Sequence, residues 1–139
     1  MNDIQQEIID EFSLYDDWMD KYAMIIEYGN QLQPLDEKYK TPENIIKGCQ
    51  SRVWMNAREE GGKLYFEADS DAVIVKGLLA LVLKVFNGLT PDEIINTDLR
   101  FLKEIGLTEH LSPTRANGLL AVIKQIRFYA MAYKAKEEI

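Results

Sequence analysis

The sequence predicts an α+β domain, with a small antiparallel β-sheet packed against helices from the two ends of the chain. Two observations carry this. Apolar residues recur at helical spacing near the start and through the second half, whereas strict alternation is confined to the middle, from Arg52 to about Ala68. Strands clustered between helices exclude a parallel α/β sheet, which needs a crossover helix between successive strands. The 139 residues are 47% apolar and show no repeat, no low-complexity tract and no Pro/Gly/Ser-rich linker, so the expectation is one domain spanning residues 1–139 around one core.

Ile4, Ile8 and Phe12 mark a first helix and, after a break around Ser13 to Asp16, Trp18, Tyr22, Ile25 and Ile26 mark a second. Gly29-Asn30 reads as its stop. Pro34 and Pro42 then push their preceding residues out of the α region, making residues 30–50 mostly irregular. A loop that long is uncommon in a compact domain unless it has a task. Val53, Met55 and Ala57, then Leu64, Phe66 and Ala68, alternate on either side of Gly61-Gly62 and predict a β-hairpin, which can gain a short third strand from Ile45 and Ile46. Ser70 and Asp71 are placed to cap a helix that is apolar nearly all round, from Val73 through Val85 to Gly88. Thr90-Pro91-Asp92-Glu93 is a capping box, Leu99 to Ile105 allows another short helix, and Ser112-Pro113 starts a long closing helix. That helix carries Leu119, Val122, Ile123, Ile126, Ala130 and Tyr133 and frays into Lys134 to Glu138.

Composition excludes several functions. Sixteen basic against twenty-three acidic residues give a formal charge of -7, the wrong sign for holding a phosphate backbone, so no nucleic-acid partner is expected. The opening Met1-Asn2-Asp3 lacks the basic and apolar regions of a secretory signal, and the longest apolar stretch, Gly77 to Leu83, is too short to span a bilayer. A cytoplasmic location with no membrane segment is the expectation. Asp16, Asp17 and Asp20 read as solvated carboxylates of an amphipathic helix.

One cysteine, Cys49, and one histidine, His110, preclude an intrachain disulfide or a Cys/His metal cage. Cys49 ends the irregular stretch in Gly48-Cys49-Gln50-Ser51, where the preceding glycine permits a sharp turn. On position alone it is as much a small buried hydrophobe as a reactive thiol. Reactivity needs a lowered pKa, for which Arg115 and the helix beginning at Ser70-Asp71 are the candidate sources. A lone histidine near a helix start is more often a packing or capping group than a base, so His110 is not assigned to a dyad.

Three separated motifs go further: Gly48-Cys49-Gln50-Ser51-Arg52-Val53-Trp54; Ala68-Asp69-Ser70-Asp71-Ala72 with Ile74-Val75-Lys76-Gly77-Leu78; and Leu111-Ser112-Pro113-Thr114-Arg115 with Asn117-Gly118-Leu119. In this order, over nearly the whole chain, they resemble the SufE family of sulfur acceptors for cysteine desulfurases. The resemblance implies an α+β fold shared with NifU-type scaffolds and a loop-tip cysteine sheltered until a partner docks, with Gly48, Gln50 and Ser51 as the moving loop. Cys49 would take persulfide sulfur from a SufS- or CsdA-like desulfurase and pass it to a SufBCD-like iron-sulfur assembly complex. Arg115 is implied as an anion-stabilising neighbour of the thiol and Asp71 as a brake or cap. The chain would be a carrier and desulfurase activator, monomer or homodimer, more than a stand-alone enzyme. It would bind no metal and no cofactor of its own, pyridoxal phosphate belonging to the desulfurase. A single thiol suits this task, because a second one nearby would resolve the persulfide to a disulfide and release sulfide. A docking module that activates the desulfurase without using Cys49 is the alternative.

Overall fold

A computed structural model describes residues 3–137; Met1, Asn2, Glu138 and Ile139, which the sequence reading included, lie outside the described residues. Helices α1 (Ile4–Phe12) and α2 (Trp18–Gln31) are followed by irregular chain with two 3-10 turns, Glu37–Tyr39 and Pro42–Asn44. Strands β1 (Val53–Glu60) and β2 (Lys63–Ser70) come next, then α3 (Val73–Phe86), α4 (Pro91–Asn96), α5 (Arg100–Ile105), α6 (Leu107–His110) and α7 (Pro113–Glu137). The predicted α+β class is the observed one.

The hairpin pairs Val53 with Ser70 through Glu60 with Lys63, and its turn is Gly61-Gly62, whose φ values of 60° and 80° suit glycine. The third strand reduces to one bridge, Ile45 opposite Trp54, with the Ile46 N–H donating to the Val53 carbonyl at 2.9 Å. On the outer edge of β2, Asn87 takes the place of a strand: its Oδ1 accepts from the Phe66 N–H at 2.7 Å and its Nδ2 donates to the Phe66 carbonyl.

α3 is the central element, with nine buried residues from Gly77 to Phe86. It packs on α2 at a close crossing, where a Cβ added to Gly77 would lie 2.1 Å from the Ile25 carbonyl oxygen and one added to Gly29 would lie 2.9 Å from the Gly77 nitrogen. This corrects the stop assigned to Gly29-Asn30. The helix runs on to Gln31, and Gly29 is there because α3 leaves no room for a side chain. Ser70 and Asp71 do not cap α3 either: Ala72 occupies the N-cap position without a side-chain bond. Ser70 ends β2 and its Oγ accepts from the Ala72 N–H at 3.2 Å, while Asp71 turns back toward β1. The Thr90/Glu93 capping box forms as predicted. No helix among the described residues is long and apolar enough to cross a membrane.

Candidate functional site

The segment carrying Cys49 is a short loop whose two feet are tied together. One foot is Ile46, buried and bonded to Val53. The other is Arg52, which makes three bonds to the end of β2. Its carbonyl accepts from Ser70 Oγ at 2.8 Å and from the Asp71 N–H at 3.3 Å, and its N–H donates to Asp71 Oδ1 at 3.1 Å. Between the feet, Gly48 adopts φ 96°, a left-handed conformation in which a side chain is strained. The chain thereby turns Cys49 inward while Gly48 and Gln50 stay exposed.

Cys49 is half-buried against the first turns of α7, its Sγ 3.5 Å from the Gly118 carbonyl oxygen. A Cβ on Gly118 would touch the sulfur at 3.6 Å, so glycine leaves open the space beside it. The thiol lies on a small apolar cavity of about 30 Å3, walled by Val75, Leu78 and Leu79 of α3 and by Gly118, Leu119 and Val122 of α7. That is about twice the volume one water molecule needs. Gln50, Ser51 and Arg115 also line it, and Arg115 is exposed.

Burial pushes the Cys49 thiol up from its ordinary pKa, since the apolar walls disfavour the thiolate. A lowered pKa, supplied by Arg115 or the start of α3, is the expectation from sequence for a reactive thiol. The resting structure has the opposite, because desolvation is the dominant influence on the sulfur. Asp71, expected near the thiol, is not among the residues lining the cavity and acts on the foot of the loop. His110 stacks on Trp18 with ring centroids 3.8 Å apart, and its Nδ1 lies 3.0 Å from the Gly106 carbonyl oxygen. It is a packing group.

A model of the SufE family, described as an Fe-S metabolism associated domain, matches residues 6–130. The chain belongs to the SufE family. Membership associates it with iron-sulfur metabolism. A hypothetical protein from Thermus thermophilus, solved in solution, is similar to this SufE chain with a TM-score of 0.76 and 20% identity, over 93% of this chain and 94% of that one. At that identity the likeness shows the fold.

Sequence reasoning missed one polar cluster in this SufE chain. Asp69, buried at the end of β2, pairs with Lys40 at 3.1 Å and Lys76 at 3.4 Å and accepts from the Ser70 N–H at 2.8 Å. Burial alone would raise its pKa, but the Ser70 N–H and the two ammonium groups outweigh it and hold the carboxyl below its ordinary value. The cluster pins the irregular chain before Cys49 onto the hairpin and α3. No local pattern signals it, because Asp69 shares its alternating positions in β2 with Lys63 and Glu67, where solvated charges are expected. Among the described residues no group of three or more His, Cys, Asp or Glu is placed to hold a metal ion.

Proposed function

We propose that Cys49 accepts sulfane sulfur from the active-site persulfide of a PLP-dependent cysteine desulfurase, SufS- or CsdA-like, and relays it to an iron-sulfur cluster assembly complex of the SufBCD type. The observation that carries this reading is the placement of Cys49, the sole cysteine of a SufE-family chain, on a tied loop beside an apolar cavity of about 30 Å3. In the transfer the Cys49 thiolate attacks the terminal sulfur of the donor Cys-S-SH. The Cys49 Sγ–sulfur bond forms as the donor S–S bond breaks, and the electron pair leaves on the donor cysteine as a thiolate. The proton given up by the Cys49 thiol balances that new thiolate, and no external oxidant or reductant enters.

The raised pKa of the sheltered thiol keeps it protonated and slow at rest. Docking therefore has to swing the Gly48–Ser51 segment outward about its feet, where water and the Arg115 guanidinium favour the thiolate. After transfer the loop returns, and the cavity walls shelter the persulfide from small reductants and oxidants. The chain itself contributes a thiol and a shelter, with pyridoxal phosphate remaining on the donor. Intact-protein mass spectrometry after incubation with L-cysteine and catalytic desulfurase tests this. A reductant-sensitive gain of one sulfur atom, absent in Cys49→Ser, is expected. Desulfurase stimulation that survives in Cys49→Ser without any sulfur gain would replace the relay with docking alone.

A further inference from the structure

Gly118 has no reason to be glycine in the resting protein. The chain has eight glycines, all among the described residues. Five adopt positive φ, and Gly29 and Gly77 leave each other room where α2 crosses α3. Gly118 does neither. It lies inside α7, and beyond the helix's own backbone and the adjoining residues the only atoms within 4 Å of a Cβ built on it are Cys49 Sγ at 3.6 Å and Cys49 Cβ at 4.0 Å. Those are ordinary contact distances, so alanine would fit beside the thiol. Alanine would also suit the helix better, since glycine inside a helix costs stability. The missing methyl group therefore has a cause that the bare thiol does not supply.

The notch at Gly118 opens on the sulfur and on the cavity of about 30 Å3 beside it. The other apolar walls are branched side chains, and Leu78, Leu79 and Val122 among them are buried in the core, where close packing lets none of them yield space readily. At Gly118 the wall is left open instead of filled. Size then says what the space admits. A water-sized atom needs about 10–15 Å3 of such volume. One further sulfur, bonded to Sγ at about 2.05 Å, is accommodated, whereas a glutathionyl group is many atoms too long. Pointed at Gly118, that second sulfur would lie far inside contact distance of a Cβ placed 3.6 Å from Sγ. Glycine keeps the two apart.

We infer that Gly118 is a positioning residue for the carried sulfur: its bare backbone makes the notch in which the sulfane sulfur of the Cys49 persulfide sits when the loop is closed. This rests on the proposed function and adds to it the residue that sets the size of the cargo. With the notch filled by a methyl group, the thiol form still closes, whereas the persulfide form is held out in solvent. The closed loop thus shelters one added sulfur and nothing longer.

The experiment compares wild type with Gly118→Ala, each unloaded and each loaded with one sulfur from inorganic tetrasulfide, the loading read by intact mass. The Cys49 thiolate attacks a sulfur of the tetrasulfide, and the shortened polysulfide leaves with the electron pair. Cyanide then removes the sulfane sulfur as thiocyanate: a carbon–sulfur bond forms, the S–S bond breaks, and its electron pair stays on Cys49 as thiolate. Gly118→Ala should melt no lower than wild type, and iodoacetamide should alkylate its unloaded thiol within about twofold of the wild-type rate. Its persulfide should be lost to cyanide about tenfold faster or more, because local opening governs how soon a sheltered group is reached. Equal cyanide rates, on a wild type that takes sulfur from a desulfurase, would overturn the notch and leave the relay standing. A lowered melt, or alkylation accelerated as much as cyanide attack, would also overturn it, since either marks a fold that needs this glycine for itself. A wild type that gains no sulfur from L-cysteine and a working desulfurase would remove the proposed function and the notch with it.

Discussion

Replacing Asp71 by alanine should expose Cys49 without unfolding the protein. Of the three bonds at the Arg52 foot of the loop, the substitution removes only the one from the Arg52 N–H to Asp71 Oδ1 at 3.1 Å. The bonds of the Arg52 carbonyl to Ser70 Oγ and to the backbone N–H of residue 71 remain. One net hydrogen bond contributes about 1 kcal/mol, and because Arg52 and Asp71 are both exposed, water solvates the freed N–H. If loop opening breaks this bond, its loss raises the open population by about fivefold, since 1.4 kcal/mol is about tenfold. The assay is the second-order rate of Cys49 alkylation by iodoacetamide, followed by mass at fixed pH. An acceleration of about fivefold, with melting lowered by no more than about 4 °C, is the expected outcome. An unchanged or slower rate at unchanged stability would refute the idea that this foot restrains the loop.

In the isolated wild type, alkylation should climb about tenfold per pH unit and show no plateau at about 8.5, the value of an ordinary thiol, because burial raises the Cys49 pKa; a plateau below that value would contradict the sheltered resting state. Gly77→Ala should abolish or severely lower folding, since its Cβ would sit 2.1 Å from the Ile25 carbonyl oxygen and 2.5 Å from Ile25 Cγ2, and a melt within a few degrees of wild type would show that α2 and α3 can separate cheaply. Asp69→Asn should lower the melting temperature at neutral pH by freeing Lys40 and Lys76. The folded carboxyl titrates below its unfolded value, so its stabilisation is present above about pH 4 and fades as pH falls through the folded pKa. The gap between Asp69→Asn and wild type should therefore close in acid, and a gap constant down to about pH 2 would show that its charge is not what matters.

Features with local causes were legible in the sequence. The hairpin follows from alternation around Gly61-Gly62, and the start of α4 from side chains that bond within one turn, Thr90 and Glu93. Reading failed where a local signal had a distant cause. Gly29 looks like a helix stop, but it is a contact with Gly77 on another helix. Ser70 and Asp71 look like caps, but their partner is Arg52, 18 and 19 residues away. Cys49 stood out by being single, at the end of a long irregular segment; its apolar surroundings come from α3 and α7, and no local pattern announces them. Arg115 is named both as a candidate cation for the thiol and through the family resemblance, and it does line the cavity, although no local pattern places it there.

The central claim is that Cys49 carries sulfur, and intact mass measured under non-reducing conditions reads it directly. With L-cysteine and a catalytic amount of PLP-loaded desulfurase, the account predicts a gain of one sulfur atom on the wild type, reversed by reductant and missing from Cys49→Ser. A wild-type mass that stays unchanged while the desulfurase turns over would contradict it.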